Sequence, residues 1–234
     1  MDIVFDRVMR HTPVAATFWF RAERPVRFEA GQYVELTLRH DMPDSRGEKR
    51  WFTLSSTPGD ELIGVTTCYA GDERSSSFKR ALFALVPGAV LHMTEPMGDF
   101  VLPKDPAVPL LFVASGIGIT PFRSMAGWLV RRGERRPIRL VYGVHTEQDA
   151  IAPAVFAQAG MRPTVIASRP SPAWQGEHGR LSAGRIMRLG HPSADTLIYL
   201  SGPEQQIESL ARDLQALGIA PRQLVTDFFS GYST

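Results

Sequence analysis

The stretch LLFVASGIGITPFRSMAGWLVRRG, residues 110–133, constrains the fold more than any other part of the chain. LLFVA (110–114) is a continuous apolar run, the pattern of a strand buried on both faces. Phe122, Met125, Ala126, Leu129 and Val130 then recur at helical spacing, with Pro121 at the start and Gly133 at the stop. Between strand and helix, Gly116 and Gly118 permit positive φ and a close backbone approach, and Thr120 and Pro121 open the helix. The helix start beyond them offers free N–H groups and a positive dipole end to a phosphate. Pro121 stands where the usual dinucleotide fingerprint has its third glycine, and a glycine pair by itself is a weak signal that a plain tight turn also explains. The buried strand before it and the amphipathic helix after it are the context that favours a dinucleotide.

The same grammar continues downstream. IRLVYG (138–143), PTVIAS (163–168), LIYLS (197–201) and LVTDFF (224–229) read as further strands. PEQQIESLARDLQALG (203–218) repeats the proline start and glycine stop with Ile207, Leu210, Leu214 and Leu217 on one face, and Thr146 and Ser182 mark weaker helix starts. Thr146 and Asp149 have capping-pair spacing. A doubly wound parallel sheet over 110–234 is predicted. Residues 1–102 read differently. VAATFWF (14–20) and QYVELTL (32–38) alternate, turn signals fall at Gly31, Pro58-Gly59 and Pro87-Gly88, and one helix is predicted over 75–85. This half is expected to form an antiparallel β-barrel. PKDPAVP (103–109) is the predicted linker.

Composition removes several functions. A net charge of +2 argues against a nucleic-acid binder. The one cysteine, Cys68, excludes an internal disulfide and a four-cysteine cluster, and six scattered histidines lack metal-ligand spacing, so no metal is expected. The start MDIVFDRVMR has no signal-peptide core, and no apolar run reaches the ~20 residues of a membrane span. A cytoplasmic monomer without a membrane span is expected.

KRWFTLSS (49–56) sets a cation, flat rings and short hydroxyls just before the Pro58-Gly59 turn. With FEAGQYVEL (28–36), EPMGDF (95–100), SGIGITPF (115–122) and LSGPEQQ (200–206), in that order, it makes the chain similar to the ferredoxin–NADP reductase family along essentially its whole length. The resemblance implies a flavin-binding barrel followed by an NAD(P)-binding domain. It also implies that Arg50, Phe52, Thr53 and Ser56 hold the flavin: Arg50 on a phosphate, Phe52 as an apolar face, Thr53 near N5, and Ser56 supporting the loop. The family more often has Tyr-Ser where this chain has Phe-Thr, which keeps the hydroxyl and loses the phenol. Ser76 and Ser77 open the first helix; they read either as a plain N-cap or as contacts to a pyrophosphate, and the second reading favours FAD over FMN.

In the second half, Ser168 and Arg169 end a strand and resemble the pair that NADPH-using members place on the 2′-phosphate, so NADP(H) is expected, with NADH as the alternative. Ser201 stands where many members have a cysteine beside the nicotinamide, followed by Gly202 and Pro203, which also suit a helix start. Asp227 and Phe229 match the C-terminal acid and the aromatic that covers the flavin, although the chain runs five residues past the ring. The implied activity is an NAD(P)H-dependent flavoprotein reductase that passes hydride from NADPH to flavin and electrons to a separate acceptor, such as ferredoxin, flavodoxin or a small molecule. Two alternatives remain at this stage: the reductase subunit of an obligate multicomponent oxygenase or electron-transfer system, and a non-catalytic flavin or nucleotide sensor.

Overall fold

The computed structural model describes residues 1–69, 71, 73, 75–151 and 154–229, with backbone alone at Phe228 and Phe229. The chain forms two compact units, Met1–Val101 and Leu102–Thr234.

The first unit contains β1 (Asp2–Arg10), β2 (Ala15–Ala22), β3 (Tyr33–Thr37), β4 (Lys49–Thr53), β5 (Ile63–Cys68), α1 (Ser77–Phe83) and β6 (Val90–Met93). Its antiparallel sheet runs β4-β3-β6-β1-β2-β5. A bridge between Leu54 and Val65 joins the two edge strands, and this closes the barrel. β3 shows how the sequence sets the pleat: Val34 and Leu36 are fully buried while Tyr33, Glu35 and Thr37 keep partial exposure. In β1 the alternation breaks after Phe5, where a register shift between Phe5 and Arg7 turns the strand's second half outward. The barrel core gathers Phe18, Phe20, Leu36, Phe52, Leu54 and Met93, and Phe78 and Leu82 plug it from α1. Helix α1 is shorter than the predicted 75–85, because Ser76 is its N-cap, with a side chain that accepts from Lys79 N–H at 3.2 Å.

The second unit contains β7 (Leu110–Ser115), α2 (Thr120–Arg132), β8 (Ile138–Val144), α3 (Ala154–Gln158), β9 (Pro163–Ala167), β10 (Glu177–His178), α4 (Ala183–Gly190), β11 (Leu197–Pro203), α5 (Glu204–Ala216) and β12 (Leu224–Phe229). Every pairing is parallel and the order is β10-β9-β8-β7-β11-β12. Leu111 and Val113 of β7 pack with the apolar faces of α4 and α5, while Phe112 stacks on Phe122 of α2 at 4.4 Å. The apolar run of β7 is therefore buried on both sides, as expected for a doubly wound sheet. Thr146 and Asp149 do pair: the Asp149 carboxylate accepts from Thr146 N–H at 2.9 Å and from its hydroxyl at 2.8 Å, and they open a single 3-10 turn. Ser182 precedes α4 without a capping bond from its side chain. No helix among the described residues is long and apolar enough to cross a membrane.

Candidate functional site

In the first unit the candidate site centres on the end of β4. Arg50 lies opposite Leu36, and its guanidinium is gripped by the turn before it. Nη1 donates to the carbonyls of Arg46 (2.7 Å), Gly47 (3.1 Å) and Lys49 (2.6 Å), and Nη2 stands 3.5 Å from Asp44 Oδ1. Gly47, at φ +67°, makes this turn possible, and its N–H donates to Asp44 O at 2.8 Å. The guanidinium carbon lies 5.4 Å from the Phe78 ring centroid. Arg50 is thus a fixed cation at the head of α1.

Asp44 is the charged partner that the sequence did not announce. Its carboxylate accepts from Ser77 N–H at 2.9 Å and Arg46 N–H at 3.0 Å, and its own N–H donates to Ser77 Oγ at 2.9 Å. The Ser77 amide first, then Arg46, holds the Asp44 carboxyl far below the usual range. The first amide of α1, offered to a pyrophosphate on the sequence reading, is therefore already engaged by this chain's own acid. A cavity of about 360 Å³ opens beside it, lined by His40, Asp41, Met42, Ser77, Arg80 and Ala81 among others.

Phe52 is buried and tilted against Phe78 at 5.8 Å, so its ring forms part of the barrel core. Thr53 is 3% exposed, and its hydroxyl is fully buried with no hydrogen-bond partner. An orphaned buried hydroxyl costs about 1–3 kcal/mol, so this atom fits a ligand that completes it. Ser56, two residues beyond Leu54, is equally buried, with its N–H on Gly64 O at 3.3 Å.

In the second unit the C-terminal ends of β7 and β11 meet where the strand order reverses. Such a switch point is where open α/β sheets bind ligands. Gly118 is pressed on the end of β11: an added Cβ would lie 2.1 Å from Ser201 O. Gly116, at φ +53°, has nothing within 4 Å of such an atom, so space lies in front of it. Thr120 donates its hydroxyl to Ile117 O at 3.1 Å, and Pro121 follows inside the first turn of α2. At Gly202 an added Cβ would lie 2.8 Å from Ser115 Cβ; the Ser115 hydroxyl donates to Gln206 Oε1 at 2.7 Å, and Pro203 ends β11 just before α5. Ser201 is fully buried in register with Asp227, and its hydroxyl reaches Asp227 Oδ2 at 3.5 Å. The side chain of Phe229, the ring expected over the flavin, lies outside the described residues.

Ser168 and Arg169 directly follow β9, two strands from β7. Ser168 Oγ is 3.4 Å from His145 Nδ1, Arg169 N–H donates to His145 O at 2.7 Å, and the Arg169 side chain is exposed. Glu147 tethers the following loop by accepting from Ser171 N–H at 3.1 Å, and hydrogen bonds from Ser171 lower its pKa. Among the described residues no group of three or more His, Cys, Asp or Glu is placed to hold a metal ion.

The profile of the oxidoreductase NAD-binding domain family matches residues 112–212. Ferredoxin–NADP reductase B of Sorangium cellulosum is 32% identical over 199 residues, covering 80% of this chain and 78% of the relative. A flavohemoprotein of Xylella fastidiosa is 28% identical over 212 residues, covering 87% of this chain and 51% of the relative. The chain thus spans about half the length of that flavohemoprotein. Among solved structures, a ferredoxin NADP+ reductase from Neisseria gonorrhoeae with bound FAD and NADP superposes with a TM-score of 0.78 at 17% identity, over 97% of this chain and 98% of that one. At that identity the likeness speaks for the fold alone.

Proposed function

The chain belongs to the ferredoxin–NADP reductase family, and from that premise we propose that it is an FAD-dependent NAD(P)H oxidoreductase acting on a separate electron acceptor in the cytoplasm. The observation that carries this reading is the buried, partnerless Thr53 hydroxyl three residues from the fixed cation Arg50. A ligand that accepts its proton would complete that hydroxyl. The Neisseria enzyme's FAD and NADP are the ligands that its fold and family suggest for this chain.

Bound here, FAD would supply the exchange between a two-electron hydride donor and an acceptor taking electrons singly. The chain's residues would do the rest. Arg50 would neutralise a flavin phosphate, already oriented by the three carbonyls of its turn. Thr53 would donate its hydroxyl proton to the flavin ring nitrogen N5, and Ser56 would hold the loop behind it. Gly116 would let a pyrophosphate approach the start of α2, while Ser201, Gly202 and Pro203 would form the far wall of the crevice. Ser201 brings no acid or base, and none is needed where hydride passes directly.

The direct test is absorption of the purified protein, followed by mixing with NADPH, NADH and ferricyanide. A yellow protein that bleaches with NADPH and turns over ferricyanide is expected; a colourless one that takes up no FAD rejects the reading. Thr53→Val keeps the side chain's shape and deletes its proton. It should keep its flavin while single-turnover reduction slows about tenfold, the effect of about 1.4 kcal/mol on a barrier. An unchanged rate would place Thr53 away from the reacting atom. For cofactor choice, Arg169→Ala should raise the KM for NADPH about tenfold and leave that for NADH nearly unchanged, since the lost contact exists only with the 2′-phosphate. Equal effects on both would make Arg169 an ordinary surface cation.

A further inference from the structure

A polar thread runs through the barrel and ends inside the motif assigned to the flavin. His11 Nε2 lies 2.6 Å from Thr17 Oγ1, Thr17 Oγ1 2.7 Å from Thr66 Oγ1, and Thr66 Oγ1 2.7 Å from Ser55 Oγ. Ser55 Oγ lies 3.1 Å from the Gly64 carbonyl. Thr17, Thr66 and Ser55 are 0%, 5% and 2% exposed, so none of these hydroxyls reaches bulk water to any extent.

A carbonyl only accepts, so in the Ser55–Gly64 contact the hydroxyl donates, while in the Thr17–Thr66 and Thr66–Ser55 pairs either oxygen can be the donor.

Burying this much polarity is not what strand packing asks for. Thr17 and Thr66 are cross-strand partners in β2 and β5, and two valines would fill the same space without a desolvation cost. What the hydroxyls add is a hold on Ser55. The N–H groups of Ser55 (2.8 Å) and Ser56 (3.3 Å) also bond Gly64 O, so residues 55–56 are pinned by Gly64 on the backbone and by Thr66 through a side chain. Thr53 and Ser56 flank that pinned residue.

We propose that Thr66 and Thr17 are positioning residues for the flavin: through Ser55 they fix the backbone that aims the Thr53 and Ser56 hydroxyls. The inference rests on the flavin reading of β4. It concerns residues of β2 and β5, outside that motif.

The test uses Thr66→Val, which removes the hydroxyl and keeps the volume, and Thr66→Ser, which restores the hydroxyl and drops the methyl. Apoprotein is titrated with FAD by fluorescence quenching, and visible circular dichroism of the bound flavin and thermal unfolding are recorded. Thr66→Val should raise the Kd for FAD about tenfold, the worth of one or two buried hydrogen bonds, and alter the flavin dichroism. Thr66→Ser should recover both. A Thr66→Val protein that melts earlier yet binds FAD with unchanged Kd and dichroism reduces the thread to barrel stability. Failure of Thr66→Ser to recover either signal shows that the methyl, not the hydroxyl, matters, and also overturns the proposal. Should Thr66→Val fail to fold, Ser55→Ala cuts the same link with no bulk to accommodate and is read the same way. Arg50→Ala separates the layers. If it keeps full FAD, the flavin reading itself falls; if it loses FAD while Thr66→Val changes nothing, only the positioning role falls.

Discussion

Arg50→Ala is expected to purify largely without flavin. Truncating one member of a desolvated, hydrogen-bonded charge pair costs about 2–5 kcal/mol, much of it from the partner left buried and unpaired. In this protein the loss has a second component. The same guanidinium ties the carbonyls of Arg46, Gly47 and Lys49 and faces Asp44, so its removal also releases the turn that brings Asp44 to Ser77. Arg50→Lys separates the two effects, because an ammonium keeps the charge without the planar fork that spans several acceptors. The expected order of FAD occupancy, from the absorbance ratio of flavin to protein, is wild type, then Arg50→Lys, then Arg50→Ala close to zero. Full occupancy in Arg50→Ala would falsify the assignment of this motif to the flavin.

The elements whose signals are local were legible in the sequence. β7, α2 and α5 follow from an apolar run and from helical spacing punctuated by proline and glycine, and the structure places them within a residue or two of the expected bounds. The capping pair of Thr146 and Asp149 was equally local and is present. What the sequence could not supply is pairing across distance. The barrel order β4-β3-β6-β1-β2-β5 depends on which strands meet, and nothing in any one strand encodes its neighbour. The two-residue β10 is too short to carry a period at all.

The candidate site divides along the same line. Arg50, Thr53 and the glycines of the β7–α2 loop stand in contiguous motifs and could be named in advance. Asp44 could not, because HDMPD reads as an ordinary polar loop until folding carries it 33 positions along the chain to Ser77. The hydroxyl thread is harder still: Thr66 links Thr17 to Ser55 through tertiary pairing, and each alone looks like a threonine or serine with good reason to be in or beside a strand.

Two glycines of one loop are expected to respond very differently to the same substitution. At Gly118 an added Cβ would meet Ser201 O at 2.1 Å, Ser201 C at 2.4 Å and Gly202 N at 2.7 Å. All three are backbone atoms of β11, which is paired on both sides by β7 and β12, so no side chain can rotate away. Either the loop lifts or the strand moves. Overpacking of this kind costs about 1–3 kcal/mol where side chains can adjust, and more is expected where only backbone is available. Gly118→Ala should therefore unfold the second unit well before wild type and bind NADP+ poorly. At Gly116 the same atom meets nothing within 4 Å, and the penalty is the left-handed backbone alone, at φ +53°, of about 1–2 kcal/mol. If the space in front of Gly116 is where the pyrophosphate sits, Gly116→Ala should keep nearly all of the fold and still bind NADP+ weakly, because the methyl occupies the ligand's place and not the protein's. Thermal unfolding and NADP+ titration of both variants check this together. Weakened binding that merely tracks lost stability in the two proteins would make the loop a packing turn; weak binding in a stable Gly116→Ala is the signature of a ligand held there.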